Sequence, residues 1–347
     1  MIDDSEILRS LLANRLGLQD DAIAPTPIAG RVHDHWPVEH PDFGAVLLRL
    51  AKFSHMGLSP EDNLGYAKAA FERAGPSGHV PKLFATLAPD EGLDWGGLLV
   101  ERVEGQFPVL PHGLIGVAEA LASLHRLPVP MVSHRAPIRD PAHPVEALLK
   151  ICTEQIAPVA DELPAEVRSL LQRELDWFRR QGDLGAKRPT PVLAFADTHP
   201  GNFRVESGSG RTVLLDVERP LYDCAAMDLA HASLPTSLHW EPEVAGEATR
   251  ADIVAFHQRW AASIPPTLVE ATRPFILIYR RLIWLRTTSW ACAWAAKNNL
   301  ANAVTGEEGE LSPLARRLKK FVEVETMLDA QAQWEGPDAF LEEELLP

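Results

Sequence analysis

Asp197, Asn202 and Asp216 are the side chains of this sequence best suited by type and spacing to do chemistry. The carboxylate and the amide lie in Phe195-Ala196-Asp197-Thr198-His199-Pro200-Gly201-Asn202, and Asp216 follows beyond a short turn. A carboxylate can take the proton from an attacking hydroxyl. An amide oxygen and a second carboxylate are hard donors of the kind Mg²⁺ prefers. Phosphoryl transfer asks for little more than this: phosphates held, their charge neutralised by metal, and an acceptor hydroxyl aimed in line. In that chemistry Asp197 is the base, and Asn202 and Asp216 are the metal ligands.

A D-x-x-x-x-N pattern also arises by chance, and Asp or Asn beside Pro-Gly often serves only a turn. The surrounding elements are what give it weight. Val192 to Ala194 reads as a short apolar strand leading into the segment. Phe203-Arg204-Val205-Glu206 and Thr212-Val213-Leu214-Leu215-Asp216 flank Ser207-Gly208-Ser209-Gly210, which predicts a hairpin that returns residue 216 beside residue 202.

Upstream, Ile7, Leu8, Leu11, Leu12 and Leu16 predict an amphipathic helix over residues 5–17. Strands are expected at Ile28-Ala29-Gly30, Gly44 to Leu50, Lys82 to Leu87 and Leu98 to Val103, with a helix from about Pro60 to Ala74. Strands interrupted by one helix describe a small α+β lobe. After Gly105 the periodicity becomes helical, at Leu114 to Leu124 and Val167 to Phe178, with a proline-rich loop over 127–144 between them. From about residue 248 the chain again reads as helical, carrying Trp260, Trp284, Trp290 and Trp294.

With 347 residues the chain exceeds the roughly 250–300 that one core supports, so two domains are expected, 1–104 and 105–347. The formal net charge of −15 argues against a nucleic-acid partner. Cys152, Cys224 and Cys292 form no C-x-x-C pair, which points to a reducing compartment and away from zinc. The start is acidic where a signal peptide is basic. The most apolar stretch, Phe275 to Ala296, is broken by Arg280, Arg281 and Arg286. A cytoplasmic protein with no membrane partner is therefore expected.

The motif segment resembles the H-G-D-x-H-x-x-N catalytic loop of the aminoglycoside phosphotransferase and choline kinase superfamily. Leu215-Asp216-Val217-Glu218 is similar to its I-D-W-E, and Asp228-Leu229-Ala230 to its D-L-A. Ala122 to Pro128 resembles the helix end before its helical lobe, and Leu98 to Gly105 its interlobe hinge. The matches run in order from about residue 28 to 231. The resemblance implies a bilobal protein-kinase-like α+β fold, with a small N-terminal β-sheet lobe carrying one helix and a larger, mainly helical C-terminal lobe. It also implies an enzyme moving phosphate from ATP (or GTP), with Mg²⁺, to a hydroxyl of a small molecule. An aminoglycoside, amino alcohol or sugar would qualify, and the net charge leans toward a cationic one.

Nucleotide binding is implied for Gly30 in the phosphate loop, Arg49 as the phosphate-gripping cation, and Glu101 and Val103 in the hinge. Asp228 is implied as an anchor of the catalytic loop. Three departures stand out. Phe195 and Ala196 replace the family's His and Gly, with Phe195 expected as an apolar buttress. Arg49 replaces a lysine, with Lys52 a fallback that strand alternation puts on the opposite face. Gly30 stands alone where several glycines are expected. Glu61 and Glu72 are candidate partners for Arg49. Glu218 would reach metal or acceptor, or pair with an arginine. His199 is expected to position rather than ligate, and Trp290 with Trp294 to be core or an acceptor wall. The departures also motivate an alternative, a pseudokinase that binds nucleotide or ligand without turnover.

Overall fold

The computed structural model describes residues 4–184, 187–297 and 313–347. Two compact units divide the chain: Met1–Gln106 with Pro130–Arg139 and Arg204–Pro220, and Phe107–Val129 with Asp140–Phe203 and Leu221–Pro347.

In the first unit, α1 (Asp4–Leu16) precedes β1 (Ile28–Ala29), β2 (His33–His40), β3 (Gly44–Ala51), α2 (Pro60–Ala74), β4 (Leu83–Leu87) and β5 (Gly97–Glu101). The strands form one antiparallel sheet in the order β1-β2-β3-β5-β4. Period-two alternation sorts its faces. Val46, Leu48 and Leu50 of β3 join Trp36, Val38, Leu99 and the α1 residues Leu12 and Ala13 in a core. Arg49, of opposite parity, meets Phe71 of α2, with its guanidinium carbon 5.7 Å from the ring centre. Ser59 caps α2 by accepting from Asp62 N at 3.1 Å, and Pro60 fills the first turn.

Strand β2 is the one strand of this sheet that the sequence does not announce. His33-Asp34-His35-Trp36-Pro37-Val38 looks too polar for a strand, and Pro37 argues against one. Yet β2 pairs with β3 along its whole length. The Pro37 carbonyl accepts from Ala24 N at 2.9 Å, so the Pro37 nitrogen also points away from β3 and no bond of that ladder is lost.

The chain returns to this unit with β8 (Phe203–Glu206) and β9 (Thr212–Leu214), which join β6 (Gly105–Gln106) in a three-stranded sheet. Ser207 to Gly210 makes the expected turn, with Gly208 and Gly210 at φ 91° and 70°.

The second unit is mainly helical. It contains α3 (Gly113–His125), α4 (Pro144–Ile156), α5 (Ala165–Arg180), α6 (Ala225–Ser233), α7 (Pro235–Leu238), α8 (Arg250–Ala262), α9 (Pro266–Thr272) and α10 (Ile276–Lys297). Three helices follow, Pro313–Phe321, Val324–Gln331 and Glu342–Leu345. Part of the helical run expected after residue 248, residues 298–312, lies outside the described residues. Strands β7 (Val192–Ala194) and β10 (Leu221–Asp223) pair antiparallel. Helix α10 is buried over much of its surface and packs on α4 and α6. Its arginines are matched internally: Arg281 pairs with Glu174 at 2.9 Å and stacks on Trp177, and Arg280 donates to Ser233 Oγ at 2.7 Å. Among the described residues no helix is long and apolar enough to cross a membrane. A five-stranded antiparallel sheet followed by a mainly helical region is the α+β arrangement expected from the sequence.

Candidate active site

The segment 195–202 leaves β7 in the second unit and is held from beneath by Asp228 of α6. Phe195 N donates to Asp228 Oδ2 at 2.9 Å and Oδ1 at 3.1 Å, and Ala196 N donates to Oδ1 at 2.9 Å. Thr198 Oγ1 donates to the Asp228 carbonyl at 2.8 Å. His125 lies 3.0 Å from Asp228 Oδ2 through Nε2, and Trp260 Nε1 donates to His125 Nδ1 at 3.0 Å. An indole N–H only donates, so Nδ1 is the acceptor and the imidazole proton sits on Nε2, facing Asp228. Asp228 and His125 are fully or nearly fully buried. Each of these bonds to Asp228 joins it to a backbone amide, a hydroxyl or an imidazole.

The grip on backbone atoms explains the first departure. Phe195 is held by its amide while its side chain, 1% exposed, fills core space. Ala196 adopts φ 62°, the one non-glycine residue with positive φ among those described, where the family's glycine would sit unstrained. Its carbonyl accepts from Arg286 Nη1 at 2.8 Å, which ties the strained residue to α10.

Asn202 closes the loop: its Nδ2 donates to the Asp197 carbonyl at 2.7 Å and its N to the His199 carbonyl at 2.9 Å. With Nδ2 so engaged, the amide oxygen is left free of the Asp197 carbonyl. His199 Nε2 and His231 Nε2 lie 3.8 and 3.7 Å from Asp197 Oδ1. His199 also approaches Trp240, with ring centres 5.9 Å apart, and Trp240 continues to Trp290 at 5.8 Å and Phe321 at 6.0 Å. Trp290 therefore meets Trp240, while Trp294 packs on Ala295 and Ala315. His231 and Trp240 carried no sequence signal, because neither belongs to a recognisable spacing.

Asp216 belongs to the first unit, just beyond β9. Its Oδ1 accepts from Glu218 N at 3.2 Å. Glu218 Oε1 in turn receives Arg49 Nη2 at 2.8 Å and His33 Nδ1 at 2.6 Å. Arg49 Nη1 donates to the Leu215 carbonyl at 3.2 Å. Burial works to raise the Glu218 carboxyl, but the His33 hydrogen bond and the Arg49 charge outweigh it and hold it down at about 2. Burial, helped by the Arg49 and His33 charges, lowers the His35 imidazole to about 4.

Glu218 thus answers the question of Arg49's partner. Neither candidate on α2 fills that place: Glu72 pairs with Lys68 one turn away, and the Arg49 carboxylate contact comes from Glu218. Arg49 is only 7% exposed, so it is not a solvated residue of the sheet face. Lys52, of opposite parity, binds Asp34 at 2.8 Å and the Gly30 carbonyl at 2.9 Å.

Gly30 carries the tight β1–β2 turn, its N donating to the His33 carbonyl at 2.9 Å. A Cβ there would lie 2.4 Å from that carbonyl oxygen, so only glycine fits. Glu101 ends β5, and its carboxylate accepts from Lys82 N and Arg211 Nη2, each at 3.1 Å. Val103 is half-buried in the connection from β5 to β6.

The fold is the protein-kinase-like fold. A putative aminoglycoside phosphotransferase from Ralstonia eutropha superimposes with TM-score 0.62 at 12% identity, over 94% of this chain and 98% of that one. An ethanolamine kinase from Plasmodium vivax gives 0.56 at 12% identity, covering 87% and 81%. A spectinomycin phosphotransferase solved with ADP and spectinomycin gives 0.56 at 13%, covering 94% and 98%. Identities this low show the fold alone. Residues 26–264 match the APH phosphotransferase enzyme family, and the chain belongs to it. No curated protein matches the sequence.

Proposed function

We propose that this phosphotransferase is a small-molecule kinase that passes the γ-phosphate of ATP (or GTP) to an acceptor hydroxyl. The observation that carries the reading is the closed loop: Asp228 fixes the backbone beneath Asp197, and Asn202 locks onto the Asp197 carbonyl. A base works only when its position is fixed against the proton it takes. In this reading Asp197 receives the acceptor proton, and the two imidazoles beside it limit where its carboxylate can turn.

Asn202 and Asp216 would hold Mg²⁺, and the donor set fits, since both offer oxygen. Among the described residues no three His, Cys, Asp or Glu side chains form a metal cage. A cation here would complete its shell with water and nucleotide phosphate, as Mg²⁺ usually does. When bound, it would neutralise charge on the phosphates. On the first unit, the Gly30 turn and the Glu101–Val103 connection would make the nucleotide side, with Arg49 beside them bound to the Leu215 carbonyl and to Glu218.

The test is release of ADP from Mg-ATP across a panel of aminoglycosides, amino alcohols and sugars. Asp197→Ala is expected to lower acceptor-dependent kcat by about 10²–10⁴-fold. Turnover within a few-fold of wild type would remove Asp197 as base. Nucleotide binding with no turnover on any acceptor would favour the pseudokinase instead.

A further inference from the structure

One guanidinium brackets Asp216. Arg49 Nη1 reaches the carbonyl of the residue before it, Leu215, at 3.2 Å, and Nη2 reaches the carboxylate of Glu218, two residues after it, at 2.8 Å. Glu218 N then donates to Asp216 Oδ1 at 3.2 Å, closing the bracket on the side chain itself. His33, three residues past Gly30, adds a third segment to the same carboxylate at 2.6 Å.

From this geometry we infer that Arg49 and Glu218 form one positioning unit for Asp216, and that this, rather than a grip on phosphate, is what the arginine is for. The inference rests on the proposed kinase reading, in which Asp216 is a metal ligand. It accounts for arginine at a position where the family resemblance implies lysine. A guanidinium is a planar fork able to serve two acceptors at once, whereas an ammonium is a point charge on a flexible stem. Lysine here would satisfy the carboxylate or the carbonyl, and the peptide plane around Asp216 would gain freedom. It also accounts for the absence of an α2 carboxylate at Arg49, since Glu218 fills that place from within the metal segment. Both side chains are largely buried, so the pair is shielded from salt and held in one geometry.

The positioning role and a phosphate contact predict different losses. The readout is binding of Mn²⁺, as a paramagnetic stand-in for Mg²⁺, in the presence of a non-hydrolysable ATP analogue, beside binding of the same analogue with chelator. Arg49→Lys is expected to weaken Mn²⁺ about tenfold while leaving metal-free nucleotide affinity within about twofold. Glu218→Gln is expected to do the same, and the double variant to be no worse than either single one, because both break one bracket. Thermal unfolding of each variant separates loss of fold from loss of metal, and Arg49→Lys, which keeps the charge, is the milder variant should Glu218→Gln unfold. A larger loss of metal-free nucleotide affinity than of Mn²⁺ affinity in Arg49→Lys overturns the inference in favour of direct phosphate binding, as do additive effects in the double variant. Wild-type protein that binds no Mn²⁺ with nucleotide overturns the kinase reading itself. Wild-type binding with unaffected variants overturns only the inference.

Discussion

Two acidic residues, one in each unit, are held in opposite ways. Asp228, in the second unit, is surrounded by backbone amides and a neutral imidazole. Glu218, in the first, is surrounded by Arg49 and His33. The difference shows which sequence changes each unit tolerates. A carboxylate that grips backbone N–H groups is indifferent to the side chains on that backbone, so Phe195 and Ala196 can replace other residues without loosening the loop. A carboxylate held by a cation depends on that cation's identity and reach, so the site cannot treat arginine and lysine as equals.

The sharpest way to break this contrast is to remove the backbone anchor. Asp228→Ala leaves two buried amides and the His125 N–H without their acceptor, and about 3–5 kcal/mol of unfolding free energy should be lost. Denaturant unfolding measures it, and a loss under about 1 kcal/mol would mean the loop is held elsewhere.

The next largest effect is a difference in pH response. Asp223 of β10 bonds to Tyr279 Oη and to Cys224 N, and its Oδ2 has no hydrogen-bond partner among the described residues. Burial pushes its carboxyl up to about 7, against the lowering effect of the Tyr279 bond. A folded-state value above the unfolded one means the native chain holds the extra proton, so this stability is full below about pH 4 and drains as pH rises toward 7. Glu218 has the reverse sign: its contribution is present above about pH 4.5 and is lost as pH falls through about 2. Asp223→Asn, which keeps an acceptor without the charge, should gain on wild type by roughly 2–4 kcal/mol between pH 4 and 7. Parallel unfolding curves for the two proteins across that range would refute the assignment.

Smallest is Ala196→Gly. The left-handed conformation costs an alanine about 1–2 kcal/mol, partly offset by the greater entropy glycine loses on folding. A net gain of about 0.5–1 kcal/mol is expected, and a loss would show that the alanine methyl packs usefully. Activity is expected to change little, since the Asp228 bonds to residues 195 and 196 remain.

Much of this was legible in the chain. The strand before Asp197, the turn at Ser207 to Gly210 and the parity that separates Arg49 from Lys52 follow from local rules that sequence carries. Strand β2 was hidden because its buried positions include a histidine and its register spans a proline whose missing N–H faces away from the ladder. The Arg49–Glu218 pair was hidden for another reason: the partners lie 169 residues apart, and no spacing rule reaches that far. Glu61 and Glu72 on α2 were only candidates, neither set by its spacing, and Glu72 pairs with Lys68 instead.

That separation has a cost in time. The first unit is not complete when residue 106 leaves the ribosome, because its last segment is Arg204–Pro220. At ordinary elongation speeds, on the order of ten to thirty seconds pass between the synthesis of Arg49 and that of Glu218. Through that interval the nascent sheet carries a cation destined for burial without its carboxylate. Closing the sheet early would strand that charge, so vectorial synthesis itself favours keeping β3 open until the hairpin arrives. A fragment ending at residue 106 would remain in that unfinished condition, and it should fold less cooperatively than a chain extended through residue 220.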